Sequence, residues 1–126
     1  MVIPNKATPS NYDLDPNGLS PHSPGAKLDS GKLRIGLMVE GFALALKAVS
    51  EVTTYGANKY TPNGWLSVHN ADTRYTDALY RHLLEHATGV NSDEESDLKH
   101  LAHAAWNVLA LLELELRKDI QKRAAL

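Results

Sequence analysis

The sequence contains no cysteine, which rules out disulfide staples and thiolate metal sites and leaves His, Asp, Glu and Asn to hold any cation. A metal would therefore be bound through nitrogen and oxygen. There is no run of about 18 apolar residues of the kind that spans a bilayer, and the start of the chain does not read as a charged-then-apolar secretion signal. These absences lead us to expect a soluble protein with no membrane partner, held in the cytoplasm where it is made. An excess of one charge is lacking too: 13 Lys and Arg stand against 15 Asp and Glu, a net −2. With no basic field to neutralise a phosphate backbone, a DNA or RNA duplex is not an expected partner. Alternating strand patterns and internal repeats are also missing, which points to an all-α fold.

Proline is scarce except in one place. Five of the six prolines fall in residues 1–24, "MVIPNKATPSNYDLDPNGLSPHSPG" and its surroundings, among Gly, Ser and Asn with little apolar to bury. We expect an irregular N-terminal arm over residues 1–28 and one helical domain over 29–126. From Leu33, "LRIGLMVEGFALALKAVSEVTTYGANKY" places Leu37, Phe42, Leu44, Leu46, Val49 and Val52 in helical rhythm, with an interruption expected near Gly41. A turn-rich loop follows around Pro62, Asn63 and Gly64. The stretch "TRYTDALYRHLLEHATG" reads as a helix capped by Asp72 or Thr73 and stopped at Gly89. After the acidic link "VNSDEESD", Ser96 or Asp97 is expected to cap a last helix running to Arg117 or further, with Lys and Arg gathered at its negative end.

That last helix carries "HLAHAAWNVLALL" over residues 100–112. At about 100° per residue, His100, His103 and Asn107 fall within roughly 60° of one another, apart from the stripe of Leu101, Ala105, Val108 and Leu112. Burying such groups without partners costs on the order of 1–3 kcal/mol each, so they must meet each other, water, a metal or a ligand. His82 and Glu85 share a face of the preceding helix, beside Arg81, and the short link through Gly89 makes the two helices antiparallel neighbours. His82 and Glu85 are thus expected to confront the trio. The acidic run Asp93, Glu94, Glu95 and Asp97 reads first as a helix-start cap. Because Mg²⁺ prefers carboxylate oxygens, Glu95 or Asp97 is alternatively a metal ligand turned inward.

"DSGKLR" sets Lys32 and Arg34 before the first helix, and "YGANKYTPNGW" adds Lys59, Tyr60 and Trp65. Beside a metal site, the cations offer phosphate contacts and the aromatic rings offer a flat surface for a base. No G-x-x-x-x-G-K-S/T loop is present.

The ordered set Asp29, Gly31, Lys32, Arg34; Gly56, Ala57, Lys59, Tyr60, Trp65; Arg81, His82; Asp93, Glu95, Ser96; His100, His103, Asn107 resembles the phage dATP/dGTP diphosphohydrolases related to MazG, the MazZ-like enzymes. The resemblance implies a MazG-like helical bundle dependent on Mg²⁺ or Mn²⁺. It implies cleavage of a purine deoxynucleoside triphosphate, dGTP foremost with dATP or GTP as alternatives, to the monophosphate and pyrophosphate, adjusting the nucleotide pool. A homo-oligomer, dimer or tetramer, is implied as well, and the host cytoplasm as its location if the chain is phage-encoded. The MazG pattern has E-x-x-E on one helix and E-x-x-D on the next. Here His82 and Glu85 fall at the first pair, Asn107 at the Asp, and Ala104 and His103 near the remaining Glu. Only Glu85 keeps a carboxylate, which directs the search for a second acid to Glu95 or Asp97. On this resemblance Glu85, His82, His103 and Asn107 are the catalytic candidates. Metal would be held or oriented by Glu85, Glu95, Asp97, His82, His100, His103 and Asn107. Substrate would meet Lys32, Arg34, Lys59, Tyr60, Trp65 and Arg81. Two other classes compete: an HD-type phosphohydrolase, which needs an adjacent His-Asp pair that does not occur here, and a non-catalytic nucleotide-binding or helix-mediated interaction module.

Overall fold

The computed structural model describes residues 14–125, so residues 1–13 of the expected arm lie outside the described residues. The chain divides into two compact units between Gly41 and Phe42, each of which is described by itself.

In the first unit, residues 14–34 hold turns and neither helix nor strand. Their organiser is Asp15, a buried carboxylate that accepts backbone N–H groups from Asn17 at 2.8 Å, Leu19 at 3.3 Å and Lys27 at 2.8 Å. An Asp side chain bonding to nearby backbone in this way is the usual chemistry of a turn. The Lys27 N–H, helped by those of Asn17 and Leu19, outweighs burial and holds the Asp15 carboxyl below its ordinary range. The N–H of Ser30 donates to the Leu14 carbonyl at 3.0 Å and closes the loop. A short helix, α1 (Ile35–Gly41), follows with no buried residue.

The second unit contains α2 (Ala43–Lys59), a 3-10 turn over Gly64–Ser67, α3 (Ala71–Ala87) and α4 (His100–Ala124). The only β feature among the described residues is an isolated antiparallel bridge between Ser92 and Lys99, so the chain is all-α. The expected interruption near Gly41 is present, where α1 ends and Phe42 opens α2. α4 packs along α3 and, less extensively, against α2. Among the described residues, no helix is long and apolar enough to cross a membrane.

Both expected helix starts are corrected. α3 begins at Ala71 behind Asn70, which adopts the left-handed conformation at φ 54°; Asn tolerates that turn better than other side-chain-bearing residues. Asp72 lies inside the first turn, where it favours the positive helix end and meets Lys118 Nζ at 3.4 Å. α4 begins at His100 behind Lys99, and no side chain caps it. Ser96 cannot do so because its hydroxyl is engaged with His103 at 2.7 Å, and Asp97 takes a left-handed turn at φ 58°. The link 90–99 folds back on itself instead. Asp93 N–H donates to the Leu98 carbonyl and His100 N–H to the Asn91 carbonyl, both at 2.8 Å.

The apolar core is thin: among the described residues Val52, Ala102, Ala104 and Ala110 are buried, and no large side chain is fully buried. Trp106 extends it, meeting Trp65 and Tyr75 edge-on with ring centres 5.6 Å away in each case.

The end of α3 is a Schellman motif: Gly89 N–H donates to the His86 carbonyl and Val90 N–H to the Glu85 carbonyl, with Gly89 at φ 91°. A Cβ at residue 89 would meet no atom within 4 Å, so only backbone conformation opposes it. Gly89→Ala is therefore expected to cost about 1 kcal/mol of stability and to lower Tm while leaving helix content by circular dichroism unchanged. An unaltered Tm would contradict the role assigned to this turn.

Candidate functional site

His100, His103 and Asn107 do form the buried side of α4, with only 4, 9 and 5% of their surface exposed. The α3–α4 hairpin sets His82 against them. Its ring stacks on that of His103, with centres 4.5 Å apart and planes 7° from parallel, and its Nδ1 lies 2.8 Å from His100 Nδ1. Two facing ring nitrogens at that distance need one proton between them, so one ring donates and the other accepts.

The folded-back link brings the remaining polar groups. Ser96 N–H donates to Asp93 Oδ2 at 2.9 Å, while the Ser96 hydroxyl receives the Leu98 N–H and contacts His103 Nε2. The Ser96 side chain also favours the Asp93 anion. Asn107 supports the cluster from behind, its Nδ2 donating to the His103 carbonyl at 2.8 Å.

Burial disfavours the charged form of two of the imidazoles, His82 and His103. Burial, reinforced by the neighbouring His103 and His100, pushes His82 down to about 4, and burial also lowers His103. For Asp93, burial acts upward, but the bonds from Ser96 and the nearby imidazoles outweigh it and hold the carboxyl low. The result is two imidazoles biased toward the neutral form, His82 and His103, beside one carboxylate. His82, Asp93 and His100 each offer a ligand atom, all within 4.8 Å of one another, a donor set that fits a divalent cation without thiolate help.

A second charged group borders this cluster. Lys59, at the end of α2, donates to both carboxylate oxygens of Glu95 at 2.8 and 2.9 Å, with Nζ 5.2 Å from the centre of the Tyr60 ring. The bond to Glu95 raises the Lys59 pKa, and its counterpart from Lys59, aided by Tyr55, lowers that of Glu95.

The expected residues thus separate. His82, His100, His103 and Asn107 come together, and Lys59, Tyr60 and Glu95 form the neighbouring charged group. Glu85 is exposed on α3 and no described residue pairs with its carboxylate; the expectation that it confronts the trio is corrected, because the turn of α3 that points His82 inward leaves residue 85 on the open side. Asp97 is exposed on its left-handed turn, outside the ligand group. Arg81 is exposed beside His82 on α3, and Trp65 is half-buried against Trp106. Lys32 and Arg34 are exposed in the first unit. The sequence places Asp93 and Ser96 in the family motif and among possible cap residues but does not single them out as site residues, and Tyr55 is not among its candidates. The D-x-x-S spacing was the available signal, since a carboxylate three residues before a Ser can accept its N–H.

The sequence model of the family described as dATP/dGTP diphosphohydrolase, N-terminal, matches residues 22–123. The chain belongs to this family. A dATP/dGTP diphosphohydrolase of Salmonella phage PMBT28 is 32% identical over 90 residues, covering 71% of this chain and 29% of that protein. The chain therefore spans less than a third of the length of this relative. No solved structure gives a significant match.

The His82 shift sets a pH dependence for the metal-free protein. Its pKa is about 4 in the folded chain against an ordinary 6.5, so between these values the unfolded chain binds more protons and stability falls as pH falls. Tm is expected to drop between pH 6.5 and 4, with a shallower drop in His82→Leu measured over the same series. Equal slopes in the two proteins would contradict the buried neutral imidazole.

Proposed function

We propose that the chain hydrolyses the α–β anhydride of a purine deoxynucleoside triphosphate, dGTP foremost, to the monophosphate and pyrophosphate, with Mg²⁺ or Mn²⁺ as cofactor. The observation that carries this reading is the convergence of the His82, His100 and Asp93 ligand atoms within 4.8 Å, with the His103 ring stacked on His82. The family description and the printed activity of the phage relative support it, as does the resemblance to MazG-related enzymes.

A divalent ion bound at such a point supplies phosphate-charge neutralisation and a more acidic water. The chain's own groups do the rest. Water attacks the anhydride, the α–β bridge breaks, pyrophosphate departs, and the water's proton passes to a neutral imidazole, for which His103 is the candidate. Burial weakens that imidazole as a base, and the negative charge of a polyphosphate beside it strengthens it again. Ser96 and Asn107 hold His103 in place from its Nε2 and its backbone carbonyl. Lys59, already gripping a carboxylate, and Arg81 are the cations offered to phosphate oxygens; Tyr60 and the exposed part of Trp65 are offered to the base.

We further propose that the working form is a homo-oligomer. Leu101, Val108, Leu109 and Leu112 on α4 remain between 44 and 49% exposed, and contiguous apolar surface of this kind is characteristic of protein contacts.

Purified protein with Mg²⁺ or Mn²⁺ is expected to release pyrophosphate from dGTP or a close purine relative; orthophosphate as the primary product, or no turnover of any purine triphosphate, would sink the proposal. His103→Leu and Asn107→Leu are expected to preserve or raise Tm, since apolar replacement of a buried polar network is often neutral or stabilising, while lowering turnover by about 10²-fold. Light scattering at micromolar concentration is expected to report a dimer or tetramer, and a stable monomer would refute that part.

A further inference from the structure

We infer that the Nδ1 atoms of His82 and His100 and one carboxylate oxygen of Asp93 form a two-His, one-carboxylate site selective for a first-row transition ion such as Mn²⁺ over Mg²⁺. The inference deepens the proposed hydrolysis, on which it rests for its purpose, but the binding it describes is measurable without turnover.

The geometry begins with the His82–His100 contact. A cation about 2.1 Å from each of two nitrogens, at the right angle of an octahedral edge, holds them about 3.0 Å apart. The two Nδ1 atoms stand 2.8 Å apart. An ion there replaces the proton they share but sits off the line joining the two nitrogens, so the two rings turn to aim their lone pairs at it. Asp93 completes the set within 4.8 Å, up to about 0.6 Å beyond the widest separation of two ligands on one such ion, about 4.2 Å for opposed positions. Its link is partly exposed and can close that gap. Ser96 N–H occupies Oδ2 and leaves the other oxygen as the ligand, oriented from behind as ligating carboxylates commonly are.

The donor set decides the class of ion. Mg²⁺ prefers a shell of oxygens and keeps its waters, whereas imidazole suits transition ions, and two His with one carboxylate leave three octahedral positions open. Those positions accept water and phosphate oxygens. His103 lies outside the set because Ser96 holds its Nε2, and its stacked ring fixes the plane of His82 instead. The acids expected from sequence are not the ligands: Glu95 is bound by Lys59 and Glu85 is exposed elsewhere on α3.

The full chain, stripped with a chelator, is titrated with MnCl₂ and with MgCl₂ by calorimetry, with free Mn²⁺ counted by electron paramagnetic resonance. One Mn²⁺ per chain is expected, bound at least tenfold tighter than Mg²⁺. Asp93→Asn, His82→Gln and His100→Gln should each weaken Mn²⁺ by 10- to 100-fold, whereas Glu85→Gln should not; paramagnetic broadening of imidazole resonances should reach His82 and His100 first. Asp93→Asn, on the link rather than in the core, keeps the test decisive if a His variant fails to fold. Equal or tighter Mg²⁺ binding, or Mn²⁺ lost in Glu85→Gln and kept in Asp93→Asn, overturns the site. Tight Mn²⁺ binding lost in Asp93→Asn upholds the site even if no triphosphate is cleaved, which would refute only the hydrolysis. Cleavage with Mn²⁺ affinity untouched by all three ligand variants refutes the site alone.

Discussion

Three imidazoles occupy the place where a small helical bundle ordinarily puts its largest apolar side chains, and they are tolerable there only because each ring nitrogen that faces inward has a partner. His82 and His100 share a proton, and His103 is tied to Ser96. Much else follows from satisfying those groups. The alanines at 102, 104 and 110 let α4 lie close against its neighbours, near enough for the His82 and His103 rings to stack. The link between α3 and α4 must fold back rather than span the gap directly, since only then do Asp93 and Ser96 reach α4.

The acidic run in that link illustrates how one local charge cluster divides its labour. Asp93 turns toward the imidazoles and is stabilised as an anion by Ser96. Glu95, two residues on, points to Lys59 and Tyr55. Lys59 is thereby held in place beside the cluster while its charge is compensated. Any anion that approaches Lys59 has to compete with Glu95 for it, an exchange of one charge-assisted bond for another rather than the desolvation of a free ammonium. Such a surface pair contributes little to stability; its value lies in position.

The second unit hides polar groups and exposes apolar ones. α4 turns its trio and alanines inward while Leu101, Val108, Leu109 and Leu112 face out. A helix with polar residues on the buried side and leucines on the open side inverts the usual arrangement.

Much was legible in the sequence alone. The helical rhythm of residues 33–60, the stop at Gly89 and the common face of His100, His103 and Asn107 all follow from periodicity and from the conformational freedom of glycine. Those are local properties, carried by neighbouring residues along one helix. Short links also make the α3–α4 pairing readable, and with it the approach of His82. Tertiary structure decided what those rules cannot reach. Whether His82 or Glu85 points inward depends on the rotation of α3 about its axis, and residues three apart differ enough in direction for one to be half-buried and the other exposed. Ser96 and Asp97 had sound credentials as helix caps, yet the Ser96 hydroxyl turns to His103 and to the Leu98 N–H within the link, and Asp93 became the inward carboxylate because the link doubled back. Periodicity places side chains on a face; only the packing of one element on another chooses which of them meet.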